Sequence, residues 1–231
     1  MSKVLVIAAH PDDELLGCGG ALIRHTDQGD EIQSIIMCEG ESLRYEGKEV
    51  NQHEATLNAA KIIGISKTNR FDFPDQRLDK YSLVDLIAPI EKVVNTYQPE
   101  IVYVQFGGDI NRDHALTFEA ASIALRPTTE SVREIYAFYT VGSTELKTPA
   151  QFNPNVWVNV ENQIDRKIRA FSCYASEIRE YPHPRSLEGI RNVAAFYGNQ
   201  CCMKYAEAFM LMRKVERASV SETINGNGSG N

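Results

Sequence analysis

Ionisable side chains crowd into two short stretches of this sequence, and their types suit chemistry at a metal ion. His10, Asp12, Asp13 and Glu14 fall within five positions directly after the apolar run KVLVIAA. A second stretch, FGGDINRDHALTF at 106–118, ends its polar part on His114. Imidazole and carboxylate groups are usual protein ligands of zinc, and three of them with one open position are typical of a catalytic site. His10, Asp13 and His114 would supply that set if the two stretches meet.

The elements that must position these groups alternate between strands and helices. Apolar runs predict strands at 3–9, 31–38, 70–73, 100–106, 134–140 and 156–160. Helical spacing predicts helices at 20–29, 51–64, 82–97, 114–126, 163–178 and, with a break near Gly198, 187–215. This alternation predicts an α/β fold, Rossmann-like, with three α/β/α layers and a mainly parallel sheet of strand order 3-2-1-4-5. In such sheets ligands bind where the winding reverses, which here lies between strands one and four.

Other interpretations of the same residues remain open at this point. A histidine after a strand is often a hydrogen-bonded loop residue, and Asp113 is well suited to cap a helix. The glycines of GCGGAL, 17–22, weakly resemble a dinucleotide-binding fingerprint, but Gly17 falls eight residues after the end of the first strand. That fingerprint requires its glycines directly between strand and helix. The glycines are better explained by close packing of a helix on the sheet.

Length and composition limit the class of protein. The 231 residues are 43% hydrophobic and 24% charged, as expected of a globular chain. We expect one domain over 1–216 and a flexible polar tail over 217–231. A formal net charge of −7 argues against nucleic-acid binding, and no apolar run is long enough to span a membrane. The N-terminal apolar run is too short for a signal peptide. Five cysteines without CxxC spacing predict reduced thiols and a cytoplasmic protein.

Several motifs together resemble one family of enzymes. AAHPDDELLGCGG closely resembles the AHPDDE signature of the LmbE-like (PIG-L) family of zinc-dependent N-acetyl-sugar deacetylases. GDINRDHALTFEA, at 108–120, is similar to the second metal motif of that family. FPDQRLD, EYPHPRSLEGI and FYGNQCCMKYAEAF are similar to further segments of its members. The resemblance covers most of the chain, and it implies a Rossmann-like fold.

The resemblance also implies roles for individual residues. It implies that His10, Asp13 and His114 bind the metal and that Asp12 is the general base acting on a metal-bound water. The implied reaction is removal of the N-acetyl group from an N-acetylated amino sugar or sugar conjugate. Zinc is the implied metal, with Fe²⁺ and Co²⁺ as substitutes because sites of two imidazoles and one carboxylate also accept them.

The chain departs from the family pattern at one position, and this affects which residue gives a proton to the leaving amine. Many members have His-Pro-Asp-His where this chain has Asn111-Arg112-Asp113-His114. Asn111 donates a hydrogen bond to an oxyanion but has no proton to give up, so either Asp12 makes both transfers or His183, in a Pro-His-Pro loop, joins the site. His183 is otherwise a surface loop residue.

Four further residues are expected to support the metal ligands or to bind the substrate. Asp113 is expected to orient a neighbouring imidazole, and Glu14 to support the loop that carries the ligands. Arg44 and Arg185 are candidates to bind substrate, Arg185 through a phosphate or carboxylate unless it forms a structural ion pair.

Two other functions remain as alternatives. The same metal site would serve hydrolysis of an O-acetyl ester or of an amide in a non-sugar metabolite, because only the rest of the pocket selects the substrate. A non-catalytic sugar-binding or metal-binding module is the second alternative, although a binder has no need of Asp12. The substrate is a small molecule, either a free N-acetylated sugar or one linked to a nucleotide or a lipid. The segment 140–190 is expected to form part of the substrate wall, and a homo-oligomer is compatible with the resemblance.

Overall fold

A computed structural model describes residues 1–43, 45, 50–146 and 150–217. Seven strands in these ranges form one sheet: β1 (Lys3–Ala8), β2 (Glu31–Cys38), β3 (Lys67–Phe73), β4 (Ile101–Gln105), β5 (Glu134–Phe138), β6 (Val156–Asn159) and β7 (Ala206–Lys214). The described part of the chain also contains six α-helices: α1 (Asp13–Asp27), α2 (Gln52–Ile63), α3 (Leu83–Tyr97), α4 (Arg112–Ala124), α5 (Ile164–Phe171) and α6 (Leu187–Asn199). Short 3₁₀ turns lie at Leu78–Lys80 and Thr144–Leu146.

The sheet confirms the predicted order of the first five strands and extends it. Its order is β3-β2-β1-β4-β5-β7-β6, with β1 to β5 parallel and β7 antiparallel to both β5 and β6. The carboxyl ends of β1 and β4 lie side by side, because Ile7 is paired with Val104. The winding of the parallel strands reverses between these two strands, and ligand sites of open α/β sheets form at that point.

Two apolar cores cover the two faces of the sheet and confirm the three-layer architecture. One contains Leu15, Leu22 and Ile63 from α1 and α2 together with Phe171 and Ile190 from α5 and α6. The other packs α3 and α4 on the opposite face, through residues such as Leu86, Ile90 and Ala120. None of the helices in the described ranges is long and apolar enough to cross a membrane.

The predicted long helix over 187–215 is wrong in its second half. Helix α6 ends at Asn199, and AEAFMLMRK forms β7 between β5 and β6. The periodicity of a short, mostly apolar run is the same for a buried strand as for a buried helix segment. Here the hydrogen bonds to β5 and β6 on both sides make this segment a strand. The chain turns at Gly198, whose carbonyl accepts hydrogen bonds from the N–H groups of Cys201 and Met203.

Two other helix boundaries differ from expectation. Helix α1 begins at Asp13 rather than at residue 20, so the ionisable stretch is the first turn of a helix. The glycines inside this helix are required by packing, since a Cβ on Gly17 would lie 2.0 Å from the Phe138 ring. This confirms the packing explanation of the glycines. Helix α5 ends at Phe171, and the chain continues to Glu177 in successive turns instead of the predicted helix to 178.

Candidate metal centre and active site

His10 and Asp13 lie together between the end of β1 and the first turn of α1. The carboxylate Oδ2 of Asp13 accepts a hydrogen bond from the His10 backbone N–H at 2.9 Å and lies 3.2 Å from Nδ1 of the same residue. Asp12, the residue that caps α1, has φ of 94°. A non-glycine residue in this left-handed region costs about 1–3 kcal/mol, and such strain is found most often at functional sites. The strained turn places the side chains of His10, Asp12 and Asp13 at the carboxyl edge of the sheet.

His114 reaches the same point from the first turn of α4. Its Nε2 lies 3.3 Å from Nδ1 of His10 and 3.4 Å from Oδ2 of Asp13. The three atoms therefore form a nearly equilateral triangle. Bonds of about 2.0–2.2 Å in a tetrahedral zinc site place neighbouring ligand atoms about 3.3–3.6 Å apart. The three side chains are buried, and Oδ1 of Asp13 has no hydrogen-bond partner among the described residues. Donor types and spacing thus fit one divalent ion with a vacant fourth position.

Each of the two imidazoles has a carboxylate at its other ring nitrogen. Nε2 of His10 lies 3.0 Å from Oδ2 of Asp113, and Nδ1 of His114 lies 3.2 Å from Oδ2 of Asp109. Carboxylates in these positions fix the tautomer and orientation of metal-binding histidines. Asp113 thus stands where a residue that orients an imidazole was expected. Asp109 in turn accepts hydrogen bonds from the hydroxyls of Ser143 and Thr144 at 2.9 and 2.6 Å.

The cluster is electrostatically prepared for a cation. Burial disfavours the charged imidazole of His10, but hydrogen bonds to Asp113 and Asp13 outweigh it and raise the pKa of His10 well above its ordinary value. Burial likewise opposes the ionised form of Asp13, but the charges and hydrogen bonds of His114 and His10 together outweigh it and lower the pKa of this carboxyl. The carboxylates favour positive charge at this point, and a divalent ion would replace the protons on the imidazoles.

A second trio that includes His10 is a weaker candidate for the metal. A ring nitrogen of His10, Sγ of Cys38 and a carboxylate oxygen of Asp113 also lie within 4.8 Å of one another. Burial raises the pKa of the Cys38 thiol to about 12, so this sulfur remains protonated at neutral pH. Because the thiolate is the form that binds metals, the first trio is the better site.

Asp12 is buried beside the trio and is held by an arginine. Nη1 of Arg185 lies 3.3 Å from Oδ2 of Asp12 and 2.9 Å from Oε2 of Glu177. Glu177 also accepts hydrogen bonds from the Tyr45 hydroxyl and from Nε2 of Gln52. Arg185 therefore forms the ion pair that was considered as the structural alternative to substrate binding. Arg44, the other arginine expected to bind substrate, lies outside the described residues.

The remaining predicted residues occupy different surroundings. Asn111 caps α4, its Oδ1 accepting from the Asp113 N–H at 2.9 Å, so the alternative interpretation of Asp113 as the helix cap does not hold. His183 is exposed, and its Nδ1 accepts from the Arg185 N–H at 3.0 Å. The side chain of Glu14 points to the hydroxyl of Tyr174, 3.1 Å away, and burial raises its pKa to about 8.

Sequence reasoning assigned no role to Asp75 or Glu177 and left Asp109 among the acids of the second stretch that could support a ligand, although all three lie at the site. Oδ1 of Asp75 is 3.3 Å from Nε2 of His10. Asp109 stands in the same polar stretch as His114, and this proximity in sequence was the available signal for it. Asp75 stands in FPDQRLD, a segment that resembles family members but gave no role to this residue, and Glu177 lies in a segment whose local pattern is ordinary, so only the tertiary contacts place both carboxylates at the site.

The chain is similar in sequence to known deacetylases. Residues 5–125 match the profile of the PIG-L family, described as GlcNAc-PI de-N-acetylase. The chain is 32% identical over 167 residues to an uncharacterized deacetylase, YaiS, of Escherichia coli K12, covering 69% of this chain and 83% of that protein. It is 27% identical over 232 residues to the diacetylchitobiose deacetylase of Thermococcus kodakarensis, covering 90% of this chain and 82% of that protein.

A solved structure confirms the fold. The crystal structure of a conserved protein from Thermus thermophilus superposes with a TM-score of 0.75 at 22% identity, over 95% of this chain and 99% of that one.

Proposed function

The chain belongs to the PIG-L family of GlcNAc-PI de-N-acetylases, and from this premise we propose that it removes the N-acetyl group from an N-acetylated amino sugar or sugar conjugate. The single observation that carries the proposal is the buried triangle of His10 Nδ1, Asp13 Oδ2 and His114 Nε2. These residues would hold one divalent ion, with zinc favoured by the donor set and Fe²⁺ or Co²⁺ as substitutes. When bound, such an ion acts as a Lewis acid and lowers the pKa of water to about 7.

Asp12 is the general base in this proposal. Its carboxylate takes a proton from the water that attacks the acetamide carbon, and it returns that proton to the nitrogen as the C–N bond breaks. The products are acetate and the free amine. Arg185 holds Oδ2 of Asp12 at 3.3 Å and so restricts the rotation of the carboxylate. General acid–base catalysis of this kind contributes about 10²–10⁴ in rate.

Two residues are proposed to take over the task of the missing family histidine. The side-chain amide of Asn111 would donate to the oxyanion that develops on the carbonyl oxygen, an interaction whose loss costs about 10²–10³ in rate. His183 would assist protonation of the leaving amine. If it does, His183→Ala lowers kcat more than it raises KM, whereas an unchanged kcat would leave His183 as a surface residue.

The remaining assignments complete the proposal. Asp113 orients His10 and Glu14 supports the turn that carries the ligands. Arg44 contacts the substrate, whereas Arg185 is engaged by Asp12 and Glu177 and holds these carboxylates in place. The chain acts as a single domain over 1–216 with a polar tail over 217–231, the segment 140–190 forms part of the substrate wall, and the enzyme works in the cytoplasm. A sugar linked to a nucleotide or lipid, and a homo-oligomeric state, are compatible with these residues.

The test compares Asp12→Asn with a matched control. Asparagine tolerates the left-handed backbone of position 12, so the fold is retained. We expect near-normal zinc content and a fall in amine release from N-acetyl sugars of about 10²–10⁴. Asp72→Asn is the control, because Asp72 is an exposed aspartate with φ of 54°. It should keep full activity. Asp12→Asn with near-normal turnover would defeat the assignment.

The substrate panel separates the alternatives. It contains N-acetylated sugars, O-acetylated sugars and non-sugar acetamides, assayed with the zinc-loaded protein. Release of acetate from O-acetyl esters alone would replace the proposal by an esterase. Stoichiometric sugar binding without any product would indicate a non-catalytic binding module.

A further inference from the structure

A groove rich in basic residues lies on the sheet beside helix α3, away from the metal centre. The amino-terminal halves of β1, β2 and β3 form its floor, and one side of α3 forms its wall. Its volume is about 720 Å³, which is in the range of small-molecule binding sites. We name as the basic groove six of its lining residues, which are Lys3, Gln33, Lys67, Asn69, Arg70 and Lys92.

Helix α3 leaves this part of the sheet uncovered. Leu86, Ile90 and Val94 of α3 are buried in the core that this helix shares with α4. Strand β3 lies at the edge of the sheet, and all its residues are partly or fully exposed. Parallel strands that helices cover on both faces are nearly continuously apolar, whereas β3 reads KTNRFDF. The sequence of β3 therefore suits contact with water or with a polar ligand.

The lining concentrates positive charge in a chain that is acidic overall. The chain has 31 acidic and 24 basic residues, yet the groove is lined by four lysine or arginine residues and, among the described residues, by no carboxylate. Glu31, the sheet partner of Lys3, and Asp72 stand beside the groove but outside its lining. A concave surface of one sign of charge attracts ligands of the opposite sign, so the groove favours anions.

The lysines of the basic groove have no carboxylate partners in the described part of the chain. Within these ranges, the ion pairs of lysine involve Lys167 and Lys214, and Lys3, Lys67 and Lys92 form none. Nζ of Lys3 donates to the carbonyl of the last residue of α3 at 3.2 Å, which fixes its position without neutralising its charge. Lys67 and Lys92 are exposed. Their charges are therefore free to bind a ligand.

Two amides and a guanidinium lie between these charges. Nδ2 of Asn69 donates to the Ser34 carbonyl at 3.1 Å and lies 3.4 Å from Oε1 of Gln33, so the amide nitrogen of Gln33 is turned away from Asn69. Nη2 of Arg70 lies 3.1 Å from Oδ1 of the exposed Asp72, and its buried Nε has no hydrogen-bond partner among the described residues. The groove thus offers neutral donors next to cations, which suits a ligand with many acceptor oxygens.

We infer that the basic groove binds a small molecule that carries an oligophosphate group. The sheet register places Lys3 and Lys67 two strands and two residues apart, or about 12 Å between their Cα atoms, and Lys92 extends from the wall. Cations spread in this way match several negative charges in a row better than a single one, and lysine is a usual ligand of phosphate.

The basic groove is separate from the metal centre. Lys3 is the first residue of β1, whereas His10 follows its other end, and the six residues of this strand span about 17 Å. The inferred ligand is therefore not the molecule that is deacetylated, and its binding does not depend on the proposed reaction.

The experiment measures binding of inorganic triphosphate to the whole zinc-loaded chain by calorimetry. The salt concentration is about 0.15 M, at which general attraction to a charged surface is screened. We expect one saturable site. Lys67→Gln and Lys92→Gln should each raise Kd about tenfold, the effect of losing one hydrogen bond to a charged group. Lys61→Gln is the matched control and should leave Kd unchanged, because Lys61 is an exposed lysine of α2 on the opposite face of the sheet.

Triphosphate also binds zinc, but that contribution does not involve Lys67 and is the same in the four proteins. Equal Kd values in the four proteins, or the absence of saturable binding at millimolar triphosphate, would overturn the inference. Equally tight binding of a glutamate peptide of the same charge would overturn it as well, since the groove would then not select phosphate. ATP is titrated in parallel to identify the source of the phosphates. Binding through Lys67 that is tighter than that of triphosphate indicates a nucleotide, and weaker binding indicates an inorganic phosphate chain.

Discussion

A buried ion pair holds helix α1 together at the point where its own hydrogen bonds fail, and this makes a quantitative prediction. The α1 backbone leaves helical geometry at Cys18, with φ of −139°. Nζ of Lys167 donates to the Leu16 carbonyl at 3.0 Å and to Oε1 of Glu207 at 2.7 Å. Glu207 accepts in turn from the N–H groups of Gly20 and Ala21 at 2.8 and 2.7 Å. The pair thus bridges the Leu16 carbonyl and the Gly20 N–H, which a regular helix would join directly.

The two halves of this pair should have unequal effects on stability. Glu207→Ala leaves a buried ammonium without its counter-charge and two backbone N–H groups without an acceptor. Loss of one partner of a buried pair costs about 3–5 kcal/mol, and each of the two orphaned donors adds about 1–3 kcal/mol, so we expect a loss of at least about 5 kcal/mol. Lys167→Met leaves the Glu207 carboxylate with both N–H donors, and we expect a smaller loss of about 3 kcal/mol. Both side chains are only 5% exposed, so solvent screens little of either effect.

Urea unfolding of both variants at pH 7, evaluated from midpoints at constant m, measures the difference. Glu91→Ala is the control, since its ion pair with Arg126 is partly exposed and should contribute less than about 1 kcal/mol. Equal losses for the two variants, or a larger loss for Lys167→Met, would show that Glu207 does not replace the missing helical hydrogen bonds.

Three further predictions concern the site and its support. In metal-free protein, Glu14→Gln should gain stability over the wild type by about 1.4 kcal/mol per pH unit between about pH 5 and 8. Burial raises the pKa of Glu14 from 4.5 to about 8, so in this pH window unfolding of the wild type releases the proton of Glu14. If the free energy of unfolding depends on pH in the same way in both proteins, the prediction is wrong. Gly17→Ala should cost about 1–3 kcal/mol in thermal unfolding, because the new Cβ would lie 2.0 Å from the Phe138 ring; an unchanged Tm would refute the close packing. His114→Ala should lose zinc by elemental analysis and also the stabilisation of about 2.7 kcal/mol expected of wild type at free zinc about 100-fold above Kd. Equal zinc-induced shifts of Tm in both proteins would remove His114 from the site.

The local pattern of apolar and polar residues was sufficient to predict most of the strands and helices and the order of the parallel strands. The apolar runs at 3–9 and 100–106 contain β1 and β4, and alternation with helices implies right-handed crossovers between parallel strands. These rules bring the ends of β1 and β4 together, so the approach of His10 and Asp13 to His114 followed from sequence alone. The same rules do not extend to antiparallel partners, and the run at 206–214 was therefore assigned to a helix instead of β7.

What only the tertiary structure decided are the contacts between segments far apart in sequence. Arg185 meets Asp12 across 173 positions, and Lys167 reaches Glu207 across 40. Asp75 approaches His10 from the turn after β3, and Phe152 joins Phe106 from a segment without regular structure. Periodicity specifies which face of an element is buried, because that depends on neighbours within one or two turns. The direction of a loop side chain depends instead on the packing of every element around it, and no local pattern contains that information.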